Sequence, residues 1–318
     1  MPYNLLEDMP KTVKDTADYI MPLYINGLSG RMLRMPAKGG KKREFLLIYG
    51  MHTSLERMAG VAEYLNKYGG VTMPDLPGFG GMQSFYKIGE KPTLDNMADY
   101  LAAFIKLRYR NKKVTIVGFS LGFPIITIML QKYPRLTSKI DLLGSMVGFV
   151  HHNDFTFSKK RYWIYRAGTR FLSYKIPAAF YKYVILRPVF IRYVYRHLMN
   201  AKEKFAGKEG EELKNAMELE VHLWRCNDPR TYMHVGNEMF KLDLTHVHVA
   251  FPVHHVAVSS DRYFNHVLVE QHMRNIFSDF YLHKTNMGSH MPSVVATAEM
   301  AAPFMPESLR QVLRSDPK

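Results

Sequence analysis

The five residues at positions 118–122, GFSLG, decide the fold of this chain. They follow a run of β-branched apolar residues at 114–117, VTIV, and precede a helix-like stretch at 123–133. A glycine-flanked serine between a strand and a helix forms a nucleophile elbow, whose tight turn lifts the hydroxyl clear of the sheet. The pattern alone occurs by chance in many sequences. The predicted strand before it and the predicted helix after it make it specific.

The chain also supplies the partners that a serine nucleophile needs. A hydroxyl is a weak nucleophile near neutral pH, so it needs a general base, and the base needs an orienting acid. Residues 253–259 predict a buried strand with Asp261 directly after it, and residues 277–283 predict another strand, followed by a loop that delivers His290. We therefore predict that Ser120 is the nucleophile, His290 the base and Asp261 the orienting acid.

The order Ser, Asp, His, each at the carboxyl end of a strand, resembles that of serine hydrolases of the α/β-hydrolase superfamily, which includes esterases and lipases. Two further motifs fit. Residues 45–52, FLLIYGMH, resemble the third strand of the family and its oxyanion loop, and residues 75–80, DLPGFG, match the D-x-P-G-x-G after its fourth strand. The resemblance implies an α/β-hydrolase fold, with a mostly parallel central sheet and helices on both faces.

The resemblance also implies an oxyanion hole made by the main-chain N–H groups of Met51 and Leu121. One such donor, aimed where the carbonyl oxygen becomes negative, is typically worth about 3 kcal/mol. The chain has Tyr49 where the family usually has histidine, but the donor is a main-chain group, so we expect its function to survive. His52 and Phe119 are candidate pocket residues.

One alternative acid stays open, and no cofactor is expected. Asp154 follows the predicted sixth strand at 142–150, a position from which some family members draw the acid. Four histidines lie along one strand region at 246–255, but no carboxylate or thiol set accompanies them, so we predict no metal site.

The predicted organisation is a core interrupted by an insertion. Residues 1–150 form the first part of the α/β-hydrolase core, residues 151–235 a helical cap inserted after the sixth core strand, and residues 236–318 the second part of the core. Helices are predicted at 55–68, ended by a glycine pair, and at 93–109. Asp228 followed by Pro229 predicts a helix start.

The insertion is basic and aromatic. Residues 159–202 contain eleven Lys or Arg, eleven aromatic residues and no acid, within a chain of net charge +15. Three interpretations are open: an interfacial surface for an anionic membrane, capture of an acidic acyl substrate, or packing against the acidic helix predicted at 209–220. The segment matches no nucleic-acid-binding module, so nucleic acid is not expected as a partner.

Composition and motifs together favour an enzyme. The 47% apolar content suffices for a core, and the single cysteine cannot form an internal disulfide. The amino terminus has no signal-peptide pattern and no apolar stretch reaches 18 residues, so we expect a cytoplasmic protein that can associate with a membrane surface.

The expected activity is hydrolysis of carboxylic esters with a hydrophobic acyl chain, in the manner of a lipase, lysophospholipase or monoacylglycerol-like esterase. The same triad supports acyl transfer and C–C or amide hydrolysis, and the fold also serves as a non-catalytic binding module. These remain the alternatives.

Overall fold

An eight-stranded sheet runs through the centre of the molecule. The structure is a computed structural model that describes residues 16–197, 209–259, 261–285, 290 and 297–315. The strands are β1 (Ile20–Ile25), β2 (Leu28–Met35), β3 (Glu44–Ile48), β4 (Gly70–Pro74), β5 (Val114–Phe119), β6 (Ile140–Met146), β7 (Val253–Val258) and β8 (Phe280–Thr285). Their spatial order is β1-β2-β4-β3-β5-β6-β7-β8.

The sheet is mostly parallel, which confirms the predicted fold class. Only β1–β2 and β2–β4 pair antiparallel, while the pairs from β4 through β3, β5, β6 and β7 to β8 are parallel. Every residue of β3, β4 and β5 is buried. Helices cover both faces of a parallel sheet, which explains why these strands are continuous apolar runs without alternation.

The described helices are α1 (Leu55–Asn66), α2 (Leu94–Arg108), α3 (Gly122–Lys132), α4 (Lys159–Leu172), α5 (Lys175–Phe180), α6 (Pro188–His197), α7 (Gly210–Cys226), α8 (Pro229–Met239), α9 (His266–Ile276), α10 (Ala298–Ala301) and α11 (Glu307–Arg314). A π-helical turn at Tyr181–Ile185 connects α5 to the segment before α6. None of the helices within these ranges is long and apolar enough to cross a membrane.

Local side-chain chemistry sets several helix starts. Thr93 caps α2 by accepting from the Asn96 N–H at 3.1 Å. Asp228 caps α8 by accepting from the Thr231 N–H at 2.9 Å, with Pro229 in the first turn, as predicted. The predicted glycine stop of α1 is wrong, because the helix ends at Asn66 and Gly70 already begins β4.

The residues between β6 and β7 form helices α4 to α8. Buried side chains of these helices belong to two separate apolar clusters. A small apolar cluster of α6, α7 and the turn before them is separate from the main core; its buried members are Leu186, Ile191, Tyr195, Ala216, Met217 and Val221. In contrast, Val235 and Met239 of α8 belong to the main core. The predicted boundary at 235 lies inside α8, and the three-part division of the chain stays a prediction.

Candidate active site

The turn after β5 presents Ser120 in a strained backbone conformation. Ser120 has a φ of 46°, in the left-handed region that non-glycine residues rarely adopt. The Ser120 N–H donates to the Met146 carbonyl at 3.0 Å, and the Phe123 N–H donates to the Ser120 carbonyl at 3.1 Å. These bonds hold a conformation that costs about 1–3 kcal/mol by itself, and such strain clusters at functional sites.

Three glycines make room for this turn. A Cβ at Gly118 would lie 2.8 Å from Phe123 Cα, and one at Gly122 would lie 2.3 Å from the Ile48 carbonyl oxygen. A Cβ at Gly50 would lie 2.9 Å from the Ser120 Cβ. The predicted elbow geometry therefore depends on backbone contacts between the turn, α3 and the end of β3.

Asp261 and His290 are brought together at the end of β7. The Asp261 Oδ1 accepts from the Tyr263 N–H at 2.8 Å and the Phe264 N–H at 3.3 Å, while its Oδ2 lies 2.7 Å from the His290 Nδ1. Burial by itself would raise the pKa of Asp261, but the hydrogen bond and charge of His290 outweigh it, so this pKa lies below its usual value. An ionised carboxylate is suited to orient an imidazole.

Ser120 and Asp261 stand at the carboxyl ends of β5 and β7, with β6 between them. The Asp261 contact uses the His290 Nδ1, which leaves the Nε2 as the nitrogen for a nucleophile. No hydrogen bond joins Ser120 Oγ to His290 among the described residues, and in unliganded enzymes such contacts often tighten only when substrate binds. The contact between the serine and the imidazole stays a prediction.

The two predicted oxyanion donors lie at the ends of neighbouring parallel strands. Met51 follows β3 and Leu121 follows Ser120. Within the described parts of the chain, neither N–H has a protein acceptor. Main-chain donors inside a fold are almost always paired, so two unused donors beside the serine fit the predicted oxyanion hole, which stays a prediction.

Tyr49 supports this loop in the place where the family usually has histidine. Its hydroxyl donates to the Asp75 Oδ1 at 2.8 Å and accepts from the Leu76 N–H at 3.1 Å. A Cβ at Gly80 would lie only 1.8 Å from the Asp75 Oδ1, which explains the last glycine of the DLPGFG motif. The tyrosine thus ties the end of β3 to the loop after β4.

The loop after β3 also contacts the segment between β6 and β7. The His52 Nε2 lies 2.9 Å from the Glu220 Oε2 of α7, and its ring centroid is 4.5 Å from that of Trp224. The Arg57 Nη1 donates to the His52 carbonyl at 2.8 Å. Sequence reasoning missed Arg57, because nothing in its local sequence shows that it reaches this loop.

The predicted pocket residues differ in position. His52, one residue after the predicted oxyanion donor Met51, is partly exposed, and Phe119, at the end of β5, has a fully buried side chain. Their role in substrate binding stays a prediction.

Asp154, the alternative acid, contacts a different histidine. Its Oδ2 accepts from the N–H groups of Val150 at 2.9 Å and His151 at 3.0 Å. Its Oδ1 lies 2.6 Å from the His272 Nδ1 of α9. The geometry therefore favours Asp261 over Asp154 as the partner of His290.

A second histidine at Asp261 was missed by the sequence analysis. The His266 Nε2 lies 3.6 Å from the Asp261 Oδ2, and burial lowers the pKa of His266. A five-residue separation of aspartate and histidine carries no recognisable motif, so no sequence signal could have found the contact. No group of three or more potential metal ligands occurs among the residues that the structure describes.

Comparisons with known proteins agree with this architecture. The model of a family described as alpha/beta hydrolase fold matches residues 45–207. A comparison with curated proteins found no match. Among solved structures, a putative lipase from Acinetobacter baumannii is 17% identical, with a TM-score of 0.64 over 95% of this chain and 96% of that one.

Two further solved structures show the same fold. A thermophilic esterase from Thermogutta terrifontis is 16% identical, with a TM-score of 0.59 over 93% of this chain and 98% of that one. A deformylase from Pseudomonas putida is 18% identical, with a TM-score of 0.60 over 86% of this chain and 94% of that one. At these identities the likeness concerns the fold alone, since one fold supports many reactions.

Proposed function

Because the chain belongs to the α/β-hydrolase family, we propose that it is a serine hydrolase that cleaves carboxylic esters. The observation that carries the proposal is the 2.7 Å contact between the His290 Nδ1 and the buried Asp261 carboxylate. It supplies an oriented imidazole in a fold whose elbow carries Ser120 in a strained conformation. A serine, a base and an orienting acid are the complete set for acyl transfer.

In the proposed mechanism, Ser120 Oγ attacks the acyl carbonyl carbon while the His290 Nε2 takes the hydroxyl proton. The oxyanion accepts hydrogen bonds from the Met51 and Leu121 N–H groups. His290 then gives its proton to the leaving alcohol oxygen, and the acyl group stays on Ser120. Water attacks the acyl carbon of the acyl-enzyme as the His290 Nε2 takes a proton from it; the bond to Ser120 Oγ then breaks, His290 returns the proton to Oγ, and the carboxylic acid leaves. Asp261 stabilises the imidazolium in both steps.

We further propose a hydrophobic acyl chain for the substrate. Aromatic rings adjoin the base: the partly exposed Tyr263 lies 5.1 Å from the His290 ring, and the buried Phe264 lies 5.3 Å from it. Aromatic side chains beside a reacting group favour apolar ligands. Esters of the lipase, lysophospholipase and monoacylglycerol classes fit this description, and a cytoplasmic setting is part of the same proposal.

A fluorophosphonate probe tests the nucleophile. We expect wild-type protein to be labelled, Ser120→Ala to lose labelling completely, and His290→Ala to slow it at least 100-fold. Ser138→Ala is the matched control, because Ser138 is exposed and donates only to the Arg135 carbonyl. Labelling that survives in Ser120→Ala, or folded wild-type protein that is never labelled, would contradict the proposal.

A series of p-nitrophenyl esters tests the substrate class. We expect kcat/KM to rise from the acetate to acyl chains of intermediate length, because each buried methylene contributes about 0.8 kcal/mol. Turnover of short esters alone would exclude the hydrophobic chain and leave the hydrolase assignment in place. Turnover of matched amides without ester turnover would exclude ester specificity.

A further inference from the structure

The segment 159–196 exposes an unusual density of apolar side chains. Of the 21 exposed large hydrophobic residues in the described chain, 13 lie between positions 163 and 193. The most exposed are Ile176 at 83%, Val189 at 73%, Tyr183 at 65%, Phe171 at 63%, Trp163 at 61% and Phe180 at 59%. So many exposed apolar side chains in one segment of a folded protein indicate an interaction site. We call the exposed side chains of 159–196 the aromatic-basic surface.

The same segment carries unbalanced positive charge. Residues 159–196 contain ten Lys or Arg and no Asp or Glu. Arg192 pairs with Glu218 at 2.7 Å, whereas the other nine have no acidic partner among the residues that the structure describes. Glu220 of the same acidic helix points inward to His52 and Tyr195. Packing against α7 therefore neutralises one of the ten charges and does not account for the rest.

We propose that the aromatic-basic surface binds the surface of an anionic lipid bilayer. Tyr, Trp and Phe rings are favourable at the boundary between headgroups and acyl chains, and Lys or Arg near anionic headgroups contribute about 1 kcal/mol each. A surface that combines both features lies on a membrane without spanning it. The Arg166 guanidinium, 5.0 Å from the Trp163 ring, places the two chemistries side by side.

Charge complementarity favours an anionic bilayer over a second copy of the chain as the partner of this surface. Two copies joined through this surface would bring eighteen positive side chains together, since nine of the ten in each copy have no acidic partner among the described residues. Like charges placed opposite each other are destabilising. An anionic bilayer instead neutralises them and covers the apolar side chains at the same time.

The surface is connected to the candidate active site. On the inner side of α6, the Tyr195 hydroxyl donates to the Glu220 Oε2 at 2.9 Å. The same oxygen lies 2.9 Å from the His52 Nε2 in the loop that carries the Met51 N–H. Membrane binding at α4 to α6 would therefore bring a lipid phase to α6, whose Tyr195 shares the Glu220 carboxylate with this loop.

Vesicle co-sedimentation tests the proposal. We expect wild-type protein to bind vesicles of phosphatidylcholine and phosphatidylglycerol at least tenfold more tightly than vesicles of phosphatidylcholine alone, and to be released by 0.5 M salt. The triple variants Phe171→Ala/Ile176→Ala/Phe180→Ala and Lys160→Gln/Arg170→Gln/Lys175→Gln should each weaken anionic-vesicle binding at least tenfold. These side chains are exposed, so the fold should tolerate both changes.

Two controls remove groups of the same kinds elsewhere. Lys38→Gln/Lys41→Gln/Lys42→Gln removes the same charge from the exposed turn after β2, and Tyr24→Ala/Val267→Ala removes exposed apolar side chains from β1 and α9. We expect both controls to bind within twofold of wild type. Equal losses in the controls, or no binding of wild type to anionic vesicles, would overturn the proposal.

Tryptophan emission reports which surface touches the lipid. The chain has two tryptophans, so Trp224→Phe leaves Trp163 as the single reporter. Anionic vesicles should shift its emission to the blue, and brominated lipids should quench it. Co-sedimentation without a change in Trp163 emission would place the lipid contact elsewhere and overturn the proposal. A wild-type dimer that becomes a monomer in Phe171→Ala/Ile176→Ala/Phe180→Ala would assign the surface to a second copy and also overturn it. Ser120→Ala should bind vesicles normally, so this proposal and the proposed function fail separately.

Discussion

The absence of a side chain at Gly122 allows the Ser120 turn to form. A Cβ there would lie 2.3 Å from the Ile48 carbonyl oxygen, which belongs to the backbone of β3 and cannot move aside. We predict that Gly122→Ala lowers the free energy of unfolding by about 1–3 kcal/mol, the usual cost of overpacking, and abolishes fluorophosphonate labelling. Thermal denaturation and probe labelling measure the two effects.

Gly168→Ala is the control for this change. Gly168 lies within α4, and a Cβ there would meet nothing within 4 Å. Alanine should stabilise this helix by about 0.5–1 kcal/mol and leave labelling unchanged. Labelling of Gly122→Ala at the wild-type rate would show that the elbow geometry is not needed.

Two buried aspartates offer a direct comparison at the residue scale. We predict that Asp261→Asn lowers kcat by about 10²–10⁴-fold, because an amide no longer stabilises the His290 imidazolium. Asp154→Asn should retain most of kcat, since Asp154 contacts His272, and should instead lower stability. Measuring kcat for ester hydrolysis with both variants shows which aspartate is the orienting acid. A larger loss in Asp154→Asn would identify that residue as the acid.

The sequence predicted the chemistry of single residues where the motif itself carries it. The elbow and the order of strands led to Ser120, Asp261 and His290, and the structure places the last two in contact. The sequence could not identify His266 or Arg57 as residues near the site. Their contacts arise from the approach of α9 to β7 and from the packing of α1 against the loop after β3, and no local pattern encodes either.

At the scale of elements, Arg57 connects the first turn of α1 to the loop after β3, which carries the predicted oxyanion donor Met51. Its Nη1 donates to the His52 carbonyl, one residue after the predicted donor Met51. We predict that Arg57→Met lowers kcat about tenfold or more and changes KM little, because the loop loses its anchor while the substrate keeps its contacts. Steady-state kinetics across one ester series measures kcat and KM separately.

Arg57→Lys should restore part of kcat, because an ammonium group can still donate to the carbonyl. Arg108→Met, at the exposed end of α2, is the control and should leave both constants unchanged. A rise in KM at constant kcat would instead make Arg57 a substrate-binding residue.

Element boundaries were less predictable than element types. The sixth strand, predicted at 142–150, ends at Met146 because Val147 takes a φ of 46° and leaves the strand conformation. The last strand, predicted to start at 277, starts at Phe280, because Phe277 still donates to the Met273 carbonyl at the end of α9. Both errors come from backbone turns set by tertiary packing, which apolar patterns do not reveal.

At the scale of the molecule, the mostly parallel sheet was predicted from the order of the motifs, which resembles that of the α/β-hydrolase superfamily. The sequence left three interpretations for the basic segment. The exposure of Ile176, Val189 and their neighbours shows that this segment forms a surface, whereas from the sequence alone the same apolar residues could have filled a core. Hydrophobic content alone does not state which face of a helix is covered.

Two histidines of β7, the buried His255 and the partly exposed His254, give the whole molecule a pH-dependent stability. Burial lowers the pKa of His255 from 6.5 to about 3 and that of His254 to about 4. Between these values and 6.5 the unfolded chain binds protons that the folded chain does not, so stability is complete above pH 6.5 and falls as the pH drops. Each such group changes the free energy of unfolding by about 1.4 kcal/mol per pH unit at most.

We therefore predict that urea midpoints fall steadily from pH 7 to pH 4.5. His255→Gln should lower stability at pH 8, because it loses the 2.9 Å contact with the Ser145 Oγ, yet it should show a shallower pH slope. The exposed His248 supplies the control, and His248→Gln should keep the wild-type slope. Equal slopes in His255→Gln and wild type would show that His255 is not held neutral by burial, and that the interior around the middle of β7 is open to water.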